Sequence, residues 1–350
     1  MKQYFLYLLT LVVLLTATIF SCAGGKANNK RNIIKSIQPS AKTSYSIGDK
    51  ITFSFNASEK PDSVFLQIRA DKPVKSLSGG SFVYRCGEND KIGENDYKIT
   101  IFYKGVSYER SGKFLILPPK PELLNIAIKN TFPHDRTAYT QGLEFYEGKL
   151  YESSGEYGKS YIHIMEFPSM KTIKKVDLDK QYFAEGLTIL NDKLYVLTWK
   201  ENKAFVYDVN TLEKIGEFDY TTEGWGLTND GEKLYLSDGS KYIYKINPTD
   251  FKVERKIEVL TDKGGVSDIN ELEWIDGKIY ANVYGYDSIL IIDPSTGKVE
   301  KVAYNSDLLK QSDKDSTTDV LNGIARNKIT GKTYVTGKNW PKLFEIDIVK

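Results

Sequence analysis

The chain has 350 residues, a formal net charge of +2 and a hydrophobic share of 41%. That length suits one large domain or two smaller ones. The near-neutral balance gives no electrostatic footprint for nucleic acid, while 24 tyrosines and frequent β-branched runs favour a mainly β protein.

The first stretch carries Lys2, an apolar run over 4–20, then Ser21 and Cys22. This pattern is expected to be a bacterial lipoprotein signal over 1–22, cleaved before Cys22 so that Cys22 carries lipid. Small and polar residues 23–32 then form a tether. Such a protein sits in the cell envelope, lipid-anchored to a membrane on its periplasmic or surface face. Cys86 has no partner for a disulfide and reads as structural. Only His134 and His163 are present, too few for a His-based zinc site. Carboxylate and carbonyl oxygens leave room for a structural calcium ion.

From 33 to 117 come short alternating runs, KITFSFNA, SVFLQIRA, GSFVYRC, YKITIFYK and GKFLIL, separated by turn residues. They predict a small β-sandwich of immunoglobulin type. PPKPE, 118–122, reads as a stiff linker. The remaining segment, 123–350, carries a repeat. Its phrases are QGLEFYEGKLY, EGLTILNDKLY, WGLTNDGEKLY, NELEWIDGKIY and NGIARNKITGKTY, with successive starts about 44, 40, 45 and 52 residues apart. That period, with several strands in each unit, predicts a five-bladed β-propeller. Each phrase is a hairpin with a tight turn at Glu147-Gly148, Asn191-Asp192 or Asp276-Gly277. A short helix is expected near Asp307–Lys310. LLNIAIKNTF, 123–132, is expected to supply the outer strand of the last blade and close the ring.

In an antiparallel hairpin, the start of the first strand lies beside the end of the second. Two sets of residues should therefore share one rim. The leading set is Gln141, Glu185, Trp225, Asn270 and Asn322. The trailing set is Gly155, Trp199, Gly239, Tyr284 and Lys338. The framework between them hardly varies, whereas these positions differ in chemistry. Together they offer a carboxylate, an amine, carboxamides and large aromatics to one central mouth, as a small polar substrate needs. A non-catalytic propeller that binds peptides or glycans would show the same frame, and so would a metal-dependent hydrolase or lactonase using Glu185, Asn270 and Asn322.

The phrases AYTQGL, YESSGEYGKS, FAEGLT, LTWK, GWGL, LSDGS, INELEW, ANVY, LNGIA and VTGKNWPKLFEI, over about 132–346, resemble the plant and bacterial glutaminyl-peptide cyclotransferases, a family of five-bladed propellers. The resemblance leaves the sandwich outside. Tyr284 stands where Trp is expected and Tyr139 where Phe is usual. The resemblance implies an enzyme that acts as a monomer on peptides or proteins with an N-terminal Gln, making pyroglutamate and ammonia without a required cofactor. It implies Glu185 as proton shuttle, with Lys338 and Asn270 at the oxyanion. Gln141 and Asn322 would contact substrate. Tyr139, Phe183, Trp199, Trp225 and Tyr284 would form the pocket walls.

Overall fold

The computed structural model describes residues 33–350 apart from 41, 42, 71, 73 and 78. The expected signal segment, Cys22 and the tether lie outside these residues. The described elements are strands, with a single turn of 3-10 helix at Gln311–Asp313.

The N-terminal part is a two-sheet sandwich. One sheet holds Ile34–Gln38, Lys50–Ala57 and Ser81–Arg85. The other holds Ser44–Ser46, Val106–Leu117, Gly93–Tyr103, Ser63–Ile68 and Lys75–Ser76, in that order. Alternation puts Ile51, Phe53, Leu66, Ile99 and Phe114 into one core between the sheets. Cys86 is buried and free, and burial pushes its thiol up to about 11. That fits the structural role expected of it.

The remainder is a five-bladed propeller. Blade 1 is Thr140–Tyr146, Lys149–Ser154, Tyr161–Glu166 and Lys171–Asp177. Blade 2 is Ala184–Leu190, Lys193–Thr198, Lys203–Asp208 and Lys214–Asp219. Blade 3 is Leu227–Asn229, Leu234–Ser237, Tyr242–Ile246 and Val253–Glu258. Blade 4 is Ile269–Ile275, Lys278–Val283, Ser288–Ile292 and Val299–Tyr304. Blade 5 is Leu321–Asn327, Lys332–Gly337 and Lys342–Val349, completed by Glu122–Pro133. Innermost strands are buried along nearly their whole length, while outer strands such as Lys171–Asp177 alternate with solvent. The tight turns have the expected chemistry. Glu147-Gly148, Asn191-Asp192 and Asp276-Gly277 all have positive φ at both positions, the geometry that matches strand twist.

The repeated Tyr has a packing role. Tyr151, Tyr195, Tyr235, Tyr280 and Tyr334 each join a different apolar cluster, one for each interface between neighbouring blades. Burial of such a ring contributes on the order of 2 kcal/mol, so every blade is tied to the next by the same side chain.

The ring closes as the sequence predicts. Glu122–Pro133 pairs antiparallel with Lys342–Val349, from Lys342 opposite Pro133 to Val349 opposite Asn125. Its first residues also pair parallel with Val299–Tyr304, so blades 4 and 5 form one eight-stranded sheet. The strand begins at Glu122, one residue inside the expected linker. The expected helix near Asp307–Lys310 is absent. Leu308 and Leu309 instead pack as a turn into the blade 4/5 core, and the 3-10 turn starts only at Gln311. Four residues are too few to nucleate a helix against that packing.

Deleting 122–133 removes the outer strand of blade 5 and the bridge to blade 4. The deletion protein is expected to lose its cooperative melting transition, measured by circular dichroism. A deletion protein that still melts cooperatively would contradict this account of closure.

Candidate active site

The hairpin register delivers the predicted rim. Main-chain hydrogen bonds run from Gly155 N–H to Tyr139 O (2.9 Å), Trp199 N–H to Phe183 O (3.0 Å), Tyr284 N–H to Asp268 O (2.8 Å) and Lys338 N–H to Val320 O (2.9 Å). Four of the five trailing residues are thus fixed beside the residue two before the leading one. The trailing glycines are explained by crowding. A Cβ on Gly239 would stand 2.6 Å from the Trp225 ring, and one on Gly155 would strike the Phe183 ring.

The rim encloses a cavity of about 450 Å³. Tyr139, Gln141, Phe183, Glu185, Trp199, Trp225, Asn270, Tyr284 and Lys338 line it, together with Glu156, which the sequence reading missed. One wall is a chain of edge-on and tilted rings. Tyr139 meets Phe183 at 6.3 Å, and Phe183 meets Trp199 at 5.5 Å. Trp225 and Tyr284, 6.1 Å apart, form the facing wall.

Asn322 differs from expectation. It is fully buried and does not reach the cavity. Its Nδ2 donates to Thr140 O (2.9 Å) and to Gln141 Oε1 (3.3 Å). Gln141 in turn donates from Nε2 to Glu185 Oε1 at 3.1 Å. Asn322 therefore stands behind Gln141 and aims it. Its own blade presents Lys338 at the mouth instead.

Glu185 is 5% exposed and Lys338 3%. Burial drives the Glu185 carboxyl well above the usual carboxylate range. The Lys338 charge opposes that shift, while Glu223 and Glu201 reinforce it. Burial also lowers Lys338, with Glu185 and Asp319 pulling it back. The pair interacts through space without closing an ion pair. Lys338 Nζ rests over the Tyr139 ring, 4.6 Å from its centre, and 5.4 Å from that of Tyr284. Asn270 is 2% exposed, and its Oδ1 has no partner within the protein. A carboxyl, an amine and an amide, each taken out of water, thus converge inside aromatic walls.

Three further carboxylates escaped the sequence reading. Glu156 lines the mouth and pairs with Lys159 at 2.7 Å. Asp319 Oδ2 accepts from the Tyr139 hydroxyl at 2.9 Å. Glu223 Oε2 accepts from the indole N–H of Trp199 (2.8 Å) and of Trp225 (3.0 Å). A signal for Glu223 existed. It lies two residues before the leading Trp225, the same frame position as Tyr139 and Phe183. Among the described residues, no group of three or more His, Cys, Asp or Glu is placed to hold a metal ion.

Comparison with known proteins agrees with this geometry. Residues 99–348 match the family described as glutamine cyclotransferase. That match begins within the strand Gly93–Tyr103, further back than the resemblance read from the sequence. The chain is 38% identical over 230 residues to the glutaminyl-peptide cyclotransferase of Arabidopsis thaliana, covering 64% of this chain and 71% of that protein. It also resembles the crystal structure of Myxococcus xanthus glutaminyl cyclase, with a TM-score of 0.61 and 33% identity over 66% of this chain and 99% of that one. With the match spanning the whole propeller, the chain belongs to the glutamine cyclotransferase family.

Proposed function

We infer that the chain is a glutaminyl-peptide cyclotransferase, which converts the N-terminal Gln of peptides or proteins to pyroglutamate with release of ammonia. The observation that carries the reading is the buried Glu185, opposed by Lys338 inside one aromatic cavity at the propeller mouth.

The reaction is an intramolecular aminolysis. The substrate α-amine nitrogen attacks its own side-chain carbonyl carbon, and a ring C–N bond forms. The carbonyl π electrons move onto oxygen. When they return, the bond to the side-chain nitrogen breaks and ammonia leaves. We assign Glu185 to the proton: its carboxylate takes one from the attacking amine and gives it to the departing nitrogen. Gln141, held by Asn322, keeps that carboxylate oriented. We assign Lys338 and Asn270 to the developing oxyanion, where a fixed donor contributes about 3–4 kcal/mol when it meets charge only in the transition state. The aromatic walls press a flexible Gln side chain toward its cyclic shape and shed its water. Asn322 is assigned to support of Gln141 rather than to substrate contact. The scheme draws on no cofactor, so turnover should survive dialysis against EDTA, whereas a metal-dependent hydrolase or lactonase would lose it.

We further propose that Cys22 carries lipid and holds the enzyme at a bacterial envelope membrane, because an apolar run over 4–20 precedes it. The sandwich would then act as a spacer of immunoglobulin type. Its strand order and the parallel pairing of Ser44–Ser46 with Val106–Leu117 support that type. A Cys22→Ser protein is expected in the soluble fraction; one that stays with membranes would contradict the anchor.

Lys338→Met is expected to lower kcat by about 10²–10³ with little change in KM. A raised KM at unchanged kcat would move Lys338 to substrate binding. Because burial raises Glu185, its carboxylate form exists only above an elevated pKa. Activity should therefore fall, as pH decreases, well before the ordinary Glu value of about 4.3 is reached. A rate that stays flat down to that value would contradict the shuttle role.

A further inference from the structure

Two of the cavity walls come from different blades. Trp199 follows the second strand of blade 2, and Trp225 precedes the first strand of blade 3. The two rings are thus carried by separate strands. Both indole N–H groups nevertheless point at one atom, Glu223 Oε2, at 2.8 Å and 3.0 Å. Glu223 is itself held on a pinned connection. Gly224 N–H donates to Trp199 O at 2.9 Å, and Trp225 N–H donates to Ser237 O at 2.9 Å. The neighbouring Gly224 admits no side chain, because a Cβ there would strike the Tyr220 hydroxyl and stand 2.7 Å from Thr198 O.

We propose that Glu223 is a positioning residue for the cyclisation: by sharing one carboxylate oxygen between Trp199 and Trp225, it locks the two walls at the angle that encloses the substrate's glutamine. The proposal rests on the cyclotransferase reading of this cavity. Charge-assisted bonds of this kind are about twice as strong as neutral ones, and a single shared acceptor makes the two rings move together. The anion has a second effect. Its charge acts through space on Glu185 and favours the protonated carboxyl there. Glu201, which accepts from the Tyr157 hydroxyl at 2.8 Å, acts on Glu185 in the same sense, and Lys338 opposes both.

Glu223→Ala and Glu223→Gln separate these effects. The Ala variant loses both anchors. It is expected to lose about 10²-fold in kcat/KM, the size typical of a misplaced pocket. Its near-ultraviolet circular dichroism, dominated by tryptophan, should change while the far-ultraviolet spectrum stays. The Gln variant keeps an acceptor oxygen but no charge. It should recover most of the rate and the tryptophan signal, and its acid limb should move to lower pH because Glu185 loses a like charge. A merely structural residue would not move that limb.

A Glu223→Ala enzyme that folds and works at wild-type kcat and KM overturns the proposal. If the Ala variant does not fold, the Gln variant decides alone: wild-type kcat/KM with an unmoved acid limb overturns it. Wild-type protein that releases no ammonia from a Gln-peptide sinks the cyclotransferase reading and this inference together. Active wild-type protein matched by its Glu223 variants sinks this inference alone.

Discussion

Everything at the mouth depends on how closely five innermost strands approach one another at their first residues. A Cβ on Gly186 would stand 2.5 Å from Leu227 N, and one on Gly226 would strike Asn270 O. Gly142 meets Leu187 N in the same way. Four of the five strands also slip register there, between Thr140 and Gly142, Ala184 and Leu187, Ile269 and Leu272, and Leu321 and Ile324. Such a bulge re-aims the neighbouring side chain. Gly is thus the residue that lets backbones meet, and in blades 1, 2 and 3 the residue before it lines the mouth. The frame "polar residue, then Gly-Leu" is the sequence trace of this constraint. Blade 4 is the exception. It carries Glu271 in place of Gly, with its Oε2 accepting from Ile324 N–H and Asn282 Oδ1 accepting from Gly323 N–H, both at 2.9 Å. There two polar side chains fill the gap that elsewhere is closed by backbone.

The same convergence sets the electrostatics. A carboxyl and an amine brought to one mouth and covered by rings lose their water. Desolvation then shifts Glu185 up and Lys338 down, so each moves toward its neutral form. That is useful for a group that must take a proton and return it, and costly for the fold. A Glu with a raised folded pKa binds a proton that the unfolded chain has already released, so stability falls as pH rises through that window. The apolar clusters between the blades and the paired strand Glu122–Pro133 supply the stability that offsets this cost.

Much of this was legible in the sequence because the repeat is both a folding and a chemical signal. The fixed parts of the phrases, the Gly of four of them, the Leu or Ile and the Tyr, pack inside. The variable parts, Gln141, Glu185, Trp225, Asn270, Trp199, Tyr284 and Lys338, all line the cavity. Asn322 was misplaced because the frame gives register along the strand but not depth. One layer down, its amide satisfies Thr140 O and braces Gln141. Glu156 lies in a loop beyond the frame and gave no periodic signal. Asp319 acts on a ring from another blade, and Glu223 on Trp199 as well as on its neighbour Trp225; the frame marks the position of Glu223 but not which rings its carboxylate meets. Leu308 and Leu309 read as helix because they were apolar and adjacent, yet packing between blades 4 and 5 uses them as a turn.

The central claim is that the buried Glu185 carries the proton in ring closure. The direct measurement is ammonia release from a short peptide with N-terminal Gln, by the wild-type protein and by Glu185→Gln, which keeps the shape and removes the acid. The account predicts one ammonia for each pyroglutamyl peptide formed by the wild type, and a loss of about 10²–10⁴-fold in the variant. Near-normal turnover by Glu185→Gln would contradict it.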